Sequence, residues 1–353
     1  MKVLIVAKLN SGNTYIDSLS KGVKKLLKDV TISEDKFWDN NTNYDLIHVH
    51  WIENLFGWNI ENITEDDYVK LKFRLNILKN LKTKVIITYH NEYPHNLHNN
   101  ILIKKIYHLF FKHVNGMIHL GNYSLNYFKK RHNALSENMS HVVINHGNYL
   151  NLKNDISKQL AREILKIPKD KFVFLSFGGY RKIEERSLML NAFQSSNIKE
   201  KLLLSKWSLQ GKSRFAVTEK LKRKWLNLNK QYRLFDLFVA EKDIQIYLNA
   251  CDVLVIPRTE SLNSGLVFLG FSFGKILVGP NIGNITEVIQ DNNNILFNPN
   301  QKESLRTAME KAYQLKDTGI QYNNLKYARD KCSWDVISQS HFEFYKNTTI
   351  ENS

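Results

Sequence analysis

The sequence predicts an α/β fold built from two doubly wound domains that face a common cleft. Short apolar strands alternate with longer amphipathic segments, which is typical of parallel α/β architecture. A polar stretch near residues 150–170 interrupts that alternation before it starts again. A chain of 353 residues is also longer than one ordinary core needs, so we expect two domains.

The first half of the chain carries apolar runs bounded by polar turns, and each run predicts a buried strand. These runs cover residues 2–7, 46–50, 84–89, 116–120 and 141–144. Apolar residues at helical spacing predict helices between them. The helical segments are residues 16–28, 68–81 and 101–113.

The second half begins after the polar stretch, where Pro168 precedes a new apolar run. We therefore place the first domain at residues 1–160 and the second at residues 161–330. The candidate strands of the second domain are residues 172–177, 201–204, 234–238, 253–256, 276–278 and 295–297. Ligands of open α/β sheets bind at the carboxyl ends of such strands, so the loops there are the first place to look for function.

Composition limits the classes of protein. Lys and Arg number 50 against 34 Asp and Glu, and a net charge of +16 calls for an anionic partner. The aromatic and basic modules of RNA readers are not visible, so we expect no nucleic acid. Two cysteines, Cys251 and Cys332, argue against a disulfide framework and favour the reducing cytoplasm. The apolar runs are too short for a signal peptide or a membrane span.

The loops of the first domain carry polar residues at predicted strand ends. Gly12 lies in a small polar turn that could bring backbone amides close to a phosphate. It lacks the three glycines of the dinucleotide fingerprint. His90, Glu92 and His95 follow another strand, where acid–base or hydrogen-bonding work at a sugar is a plausible role. A zinc site is less well supported, because no metal-ligand spacing on a helix completes it.

The second domain has a basic glycine loop directly after its first strand. Gly178 and Gly179 allow the backbone to approach a ligand closely, and Arg181 and Lys182 can reach a diphosphate. An ordinary strand-to-helix turn is the alternative interpretation of this loop.

A second polar loop follows the strand at residues 253–256. Ser264 and Gly265 open an apolar helix there, and helix-start amides form an anion site. Glu260 is an acceptor that could hold paired ribose hydroxyls. Residues 279–287 form a further glycine turn into a helix.

Over residues 170–300 the order of these motifs resembles the donor domain of GT-B glycosyltransferases, in particular the family-4-like enzymes of bacterial capsular and exopolysaccharide biosynthesis. Residues 47–51, which end in His50 and Trp51, and residues 88–95 resemble the acceptor half. Residues 331–353 are similar to the terminal helix that crosses back to the first domain.

The resemblance implies two Rossmann-like domains and transfer of a sugar from a nucleotide-sugar donor to a saccharide acceptor, without a metal or a cofactor. It places the donor diphosphate on Arg181 and on the amides of Ser264, Gly265 and Leu266. Asn263 belongs to the same donor loop, and Glu260 or Glu287 would contact the ribose or the sugar. His50, Trp51 and His95 would bind the acceptor.

Two departures from the family pattern leave the stereochemistry open. Many retaining members carry two glutamates separated by seven residues, whose positions here fall on Leu262 and Gly270. The lysine usual three residues after the loop arginine falls on Glu184, and Lys182 and Arg186 are the candidates to replace it. An inverting enzyme would need a base, for which Glu92 and His90 are the candidates. A catalytically silent partner subunit and a polyanion-binding protein are the alternative functions.

A basic amphipathic segment suggests contact with a membrane. Residues 101–112 mix aromatic and aliphatic residues with Lys104, Lys105 and Lys112 at helical spacing. Such a helix can lie in an anionic lipid interface. We therefore expect a peripheral location at the inner face of the cell membrane and an acceptor carried on a polyprenyl diphosphate. The alternative is a helix packed on the sheet with its lysines in water.

Overall fold

The computed structural model describes residues 1–94, 97, 99–209 and 216–350. The chain divides into two compact units. Unit 1 consists of residues 1–147 together with residues 332–353, and unit 2 consists of residues 148–331. Residues 148–160, which we predicted in the first domain, pack with unit 2, where Gln245 Oε1 accepts a hydrogen bond of 2.9 Å from the Asp155 amide.

Unit 1 is built on a parallel sheet with the order β2-β1-β3-β4-β5-β6. Its strands are β1 Val3–Val6, β2 Val30–Ile32, β3 Leu46–Val49, β4 Lys84–Tyr89, β5 Gly116–His119 and β6 Ser140–Val143. Its helices are α1 Thr14–Leu26, α2 Glu65–Asn80, α3 Ile101–Phe111, α4 Asn122–Arg131 and α5 Asn133–Ser136, joined by a last helix from the far end of the chain.

Unit 2 repeats the plan with the parallel order β12-β11-β10-β7-β8-β9. Its strands are β7 Phe172–Ser176, β8 Lys201–Lys206, β9 Tyr232–Phe235, β10 Val253–Val255, β11 Ile276–Pro280 and β12 Ile295–Phe297. The helices of this unit, followed by the last helix of unit 1, are α6 Lys158–Ile164, α7 Ile183–Ser195, α8 Ala216–Leu228, α9 Ile244–Ala250, α10 Gly265–Ser272, α11 Gly283–Asp291, α12 Ser304–Gln314, α13 Ile320–Asp330 and α14 Trp334–Ile350.

The last helix, α14, belongs to the core of unit 1. Ile337, Phe344 and Tyr345 are buried among residues of β1, β3 and α1. α14 approaches α1 closely at Gly22, where a β-carbon would lie 1.9 Å from Ser338 Oγ. The chain therefore returns to its first domain after it has completed the second.

The burial of the strands fits parallel sheets that are covered by helices. β1, β3, β7 and β11 are buried along their whole length, as expected for strands with helices on both faces. Each unit thus has the parallel, helix-covered sheet of a Rossmann-like domain, as the sequence predicted.

α3 does not present the membrane face that the sequence suggested. Ile103, Ile106 and Phe110 are fully buried, and of its apolar side chains only Ile101 is largely exposed. Lys105 Nζ lies 3.1 Å from Glu65 Oε1 on α2. The apolar side of α3 packs into the domain, which is the alternative stated above.

Candidate functional site

The candidate site of unit 2 lies where the order of its strands reverses, between β7 and β10. Ligands of doubly wound sheets bind at such a switch point. The loop after β7 and the loop after β10 meet there through Arg181, whose Nη1 donates to the Glu260 carbonyl oxygen at 3.3 Å and to Ser261 Oγ at 3.4 Å. The structure therefore brings together two loops that the sequence predicted separately.

A buried ion pair holds these loops in place. Glu185, in the first turn of α7, has a side chain that is 1% exposed, and its Oε2 lies 2.7 Å from Arg258 Nη1. The same oxygen accepts a hydrogen bond of 2.8 Å from the Arg181 amide, and Arg258 Nη2 donates to the Gly179 carbonyl at 3.1 Å. Sequence reasoning missed Glu185 and Arg258. The available signal was an acid in the first turn of the helix that follows a basic glycine loop.

The two side chains predicted to reach a diphosphate lie together. Burial, and after it the nearby Arg258 charge, lower the pKa of Arg181 to about 10, so Arg181 stays protonated at neutral pH. Lys182 Nζ lies 2.7 Å from Glu260 Oε2, in a pair in which the Glu260 side chain is 70% exposed. Gly178, at φ +80°, has open space where a side chain would stand. The loop thus presents two cations beside an uncrowded backbone.

The start of α10 adds backbone donors to these cations. Ser264 is its N-cap residue, and the Ser264 side chain makes no capping hydrogen bond. The amides of Gly265 and Leu266 stand in the first turn, where helix N–H groups lack intrahelical acceptors and the helix dipole favours an anion.

The start of α11 supports this helix start from behind. Asn284 Nδ2 donates to Asn263 Oδ1 at 2.6 Å, and the Asn284 amide donates to the Leu262 carbonyl at 2.9 Å. Glu287 is half-buried one turn further along α11. The donor residues predicted in this domain therefore cluster around β7, β10 and two helix starts.

The two candidates for the missing loop lysine differ in their environments. Arg186 is buried, lies 2.7 Å from Glu219 Oε2 through its Nη2, and stacks over Trp207 at 4.1 Å. The charge of Arg186 is paired with Glu219 inside the domain. Of the two candidates, Lys182 is therefore the one whose charge lies at the surface of the loop. Glu184 is exposed.

The histidines of unit 1 form a second candidate site after β3 and β4. His50 Nδ1 and His90 Nε2 are 3.4 Å apart. Trp51 stacks on the His90 ring with centroids 4.2 Å apart and planes 16° apart. Tyr15 and His146, which sequence reasoning missed, lie beside them with centroids 4.8 Å apart. This aromatic group suits stacking against a sugar ring.

The imidazoles of this group are neutral at physiological pH. Burial lowers the pKa of His90 to about 3 and that of His146 to about 4. Burial also lowers the pKa of His50 well below its usual value. Because a good general base has a pKa near the working pH, the environment of His90 favours hydrogen bonding over proton removal.

Glu92 has partners within its own domain. It accepts a hydrogen bond of 2.6 Å from the Tyr127 hydroxyl and forms an ion pair with Arg131. His95 lies outside the described residues. Gly12 is exposed in the loop after β1, at φ +84° with no atom within 4 Å of a β-carbon. Gly12 therefore lies in unit 1, whereas the other predicted donor residues lie in unit 2.

The described part of the chain lacks two features that would point to another kind of site. Its residues contain no cluster of three or more His, Cys, Asp or Glu side chains placed to hold a metal ion. None of its helices is both long enough and apolar enough to cross a bilayer.

Comparison with known proteins assigns the second domain. Residues 157–331 match the family model "Glycosyl transferases group 1". No curated protein sequence matches the chain. The match covers unit 2 from residue 157 onward, so it is this unit that resembles a group 1 glycosyltransferase domain.

Solved structures share the whole fold. Anabaena Alr3699/HepE in complex with UDP-glucose superposes with a TM-score of 0.71 at 15% identity, over 98% of this chain and 100% of that one. Sucrose-phosphate synthase from Thermosynechococcus elongatus gives 0.68 at 14% identity, over 98% of both chains. WaaG, a glycosyltransferase involved in lipopolysaccharide biosynthesis, gives 0.62 at 13% identity, over 96% and 98%. These similarities confirm the GT-B fold.

Proposed function

We propose that this enzyme transfers a hexosyl group from a nucleotide-sugar donor to a saccharide acceptor. The observation that carries the proposal is the position of Arg181, which bridges the two loops at the switch point beside the open start of α10. A nucleoside diphosphate needs such a combination of cation and amide donors. The UDP-glucose in the Anabaena structure supports a UDP-hexose as the donor.

The chemistry of the leaving group assigns the roles of these residues. As the bond between the sugar and the diphosphate breaks, negative charge grows on the nucleotide diphosphate. Arg181, Lys182 and the amides of Gly265 and Leu266 would stabilise that charge, since preorganised donors are most effective where charge develops. We propose no metal and no cofactor for this step. Glu260 or Glu287 would hold the ribose or the sugar.

We propose that the acceptor binds in unit 1, on His50, Trp51 and His95. The lowered pKa of His90 and the existing partners of Glu92 favour roles in positioning the sugar over removing its proton. A polyprenyl-diphosphate-linked saccharide at the inner face of the cell membrane, in surface polysaccharide biosynthesis, is the acceptor we propose. WaaG, which shares the fold, is involved in lipopolysaccharide biosynthesis, and this supports the choice.

Arg181→Ala tests the donor site. We expect saturating UDP-, GDP- or dTDP-hexose to raise the melting temperature of the wild type, because a ligand that binds the native state stabilises it by mass action. The variant should lose most of this shift. Its turnover should fall by roughly 10²–10³-fold, as for loss of one donor to a developing anion.

Lys302→Ala is the matched control, because Lys302 is an exposed cation of the same domain outside the site. It should retain both the shift and the turnover. Equal shifts in Arg181→Ala and wild type would remove Arg181 from the donor site, and the absence of a shift with every nucleotide sugar would reject the proposed function.

A further inference from the structure

α8 has an unusual orientation in unit 2, because its polar side faces inward. Glu219 pairs with the buried Arg186 at 2.7 Å, and Arg223 lies 3.7 Å from Asp236. Leu226, which is 7% exposed, is the apolar residue of α8 that reaches the core. The inward side of α8 is thus held largely by ion pairs.

The outward side of α8 is an apolar stripe. Its four members recur at steps of four, four and three residues, so they share one face of the helix. They are Val217, Leu221, Trp225 and Leu228, with exposures of 73%, 60%, 69% and 81%. Contiguous apolar surface of this kind is rare on monomers and marks an interaction site.

The loop after β9 carries two further exposed apolar side chains. The Arg223–Asp236 pair places the start of this loop beside α8. The next two residues, Leu237 and Phe238, are 74% and 89% exposed. We call the four stripe residues Val217, Leu221, Trp225 and Leu228 together the α8 surface.

Cations surround the α8 surface and identify its partner by charge. Lys220, Lys222 and Lys224 are exposed on α8. The acid on α8, Glu219, is already paired with Arg186. An apolar stripe flanked by lysines is the pattern of a helix that lies in an anionic lipid interface, where lysine stems extend along the apolar layer toward the head groups.

A cavity of about 530 Å3 adjoins the end of the stripe. Leu228 lines it, together with the cationic side chains of Lys166, Lys230 and Arg233. Its other lining residues are mostly apolar, namely Leu165, Leu204, Leu234, Phe235 and Tyr247. The cavity therefore suits an anionic lipid whose head group meets the cations and whose chains lie against apolar surface.

We propose that the α8 surface docks the protein on an anionic bilayer. The inference builds on the membrane location proposed above and assigns it to the donor domain, whereas the sequence had suggested α3. It does not depend on which sugar is transferred.

The test is co-sedimentation of the full chain with vesicles of phosphatidylcholine containing about 30% phosphatidylglycerol. The variant Leu221→Gln/Trp225→Gln should lower the bound fraction at least tenfold, because both side chains are exposed and their loss leaves the core intact. Pure phosphatidylcholine should bind the wild type much more weakly.

The chain offers a matched control in α2. Val69 and Phe73 are 60% and 62% exposed at the same spacing of four residues. Val69→Gln/Phe73→Gln should bind vesicles as the wild type does. Charge reversal of Lys220, Lys222 and Lys224 should release the protein, whereas reversal of Lys104, Lys105 and Lys112 on α3 should not.

Either of two results would overturn the proposal. One is equal vesicle binding by the α8 variant and the wild type. The other is a dimer, seen by size exclusion, that the α8 variant dissociates without any change in vesicle binding. The nucleotide-sugar melting shift should persist in the α8 variant, so a failure of docking is distinguishable from a failure of the proposed function.

Discussion

At the scale of single residues, Glu185 is the buried carboxylate on which the donor loops depend. Its Oε2 pairs with the Arg258 guanidinium and accepts a hydrogen bond from the Arg181 amide. Its Oε1 accepts one from the Thr259 amide at 3.4 Å. One side chain thus fixes the backbone on both sides of the switch point. Removing one partner from a buried pair leaves the other charge uncompensated.

We predict that Glu185→Gln lowers the free energy of unfolding by about 3 kcal/mol, because Arg258 then lacks its counter-charge in a buried site. Urea denaturation of the variant measures this loss. Glu184→Gln, which changes the exposed neighbour, should stay within about 0.5 kcal/mol of the wild type. Similar values for the two variants would show that the pair does not stabilise the domain.

The residues that sequence reasoning found and missed differ in how far their partners lie along the chain. Arg181 and Lys182 stand in a recognisable glycine loop directly after a strand. Glu185 and Arg258 become a pair only when β7 and β10 lie side by side. The same is true of Tyr15 and His146, whose ring contact joins two distant segments. A single sequence can mark Glu185 as an acid at a helix start, but it does not show which distant residue meets it in the fold.

At the scale of elements, the start of α11 determines the position of the donor loop. Gly283 has φ +55°, and a β-carbon there would lie 2.5 Å from the carbonyl oxygens of both Ser261 and Leu262. Those oxygens belong to backbone, so the loop itself would have to move. Ser261 is also a hydrogen-bond partner of Arg181.

We predict that Gly283→Ala weakens nucleotide-sugar binding at least tenfold and destabilises the domain by about 2–3 kcal/mol, combining backbone strain with displacement of the loop. Ligand-dependent melting curves report both effects. Gly319→Ala is the matched control, since Gly319 has φ +77° with no atom within 4 Å of a β-carbon. It should cost about 1 kcal/mol and leave donor binding unchanged. Unaltered donor affinity in Gly283→Ala would contradict the support role of α11.

Two helices show what an amphipathic pattern leaves undetermined. The pattern of α3 predicted an apolar face, and that face lies inward on the sheet. α8 has an apolar face as well, but its outward direction follows from the ion pairs of Glu219 and Arg223 on the opposite side. Hydrophobic periodicity therefore identifies a face, and the partners across the domain decide which way it points. The short edge strand β2, with three half-exposed residues, was missed because it offers too little alternation.

At the scale of the whole molecule, titratable imidazoles are divided unequally. All 12 histidines lie in the segments of unit 1, and residues 148–331 contain none. Burial holds the pKa of His90 at about 3, and those of His146 and His341 at about 4. In the unfolded chain the histidines have their ordinary pKa near 6.5 and take up protons below that pH, whereas these three stay neutral in the native state.

We predict that unit 1 loses stability selectively between about pH 6.5 and pH 4. Protons bind the unfolded state first, so stability is complete above about 6.5 and falls by up to about 1.4 kcal/mol per pH unit for each such histidine. Hydrogen exchange at pH 7 and pH 5 measures the free energy of opening. Between these two pH values it should fall more in β3 and β4 than in β7 and β8. An equal fall in the free energy of opening in both sheets would contradict this assignment.

The return of the chain through α14 has a consequence for biosynthesis. His48 in β3 shares hydrogen bonds with Tyr345 in α14 at 2.7 Å and with Thr88 in β4 at 2.8 Å. A ribosome releases β3 long before α14, so this buried imidazole must wait for its hydroxyl partner while the whole of unit 2 is being translated. The second domain can fold during that interval, and the core of the first domain is completed last.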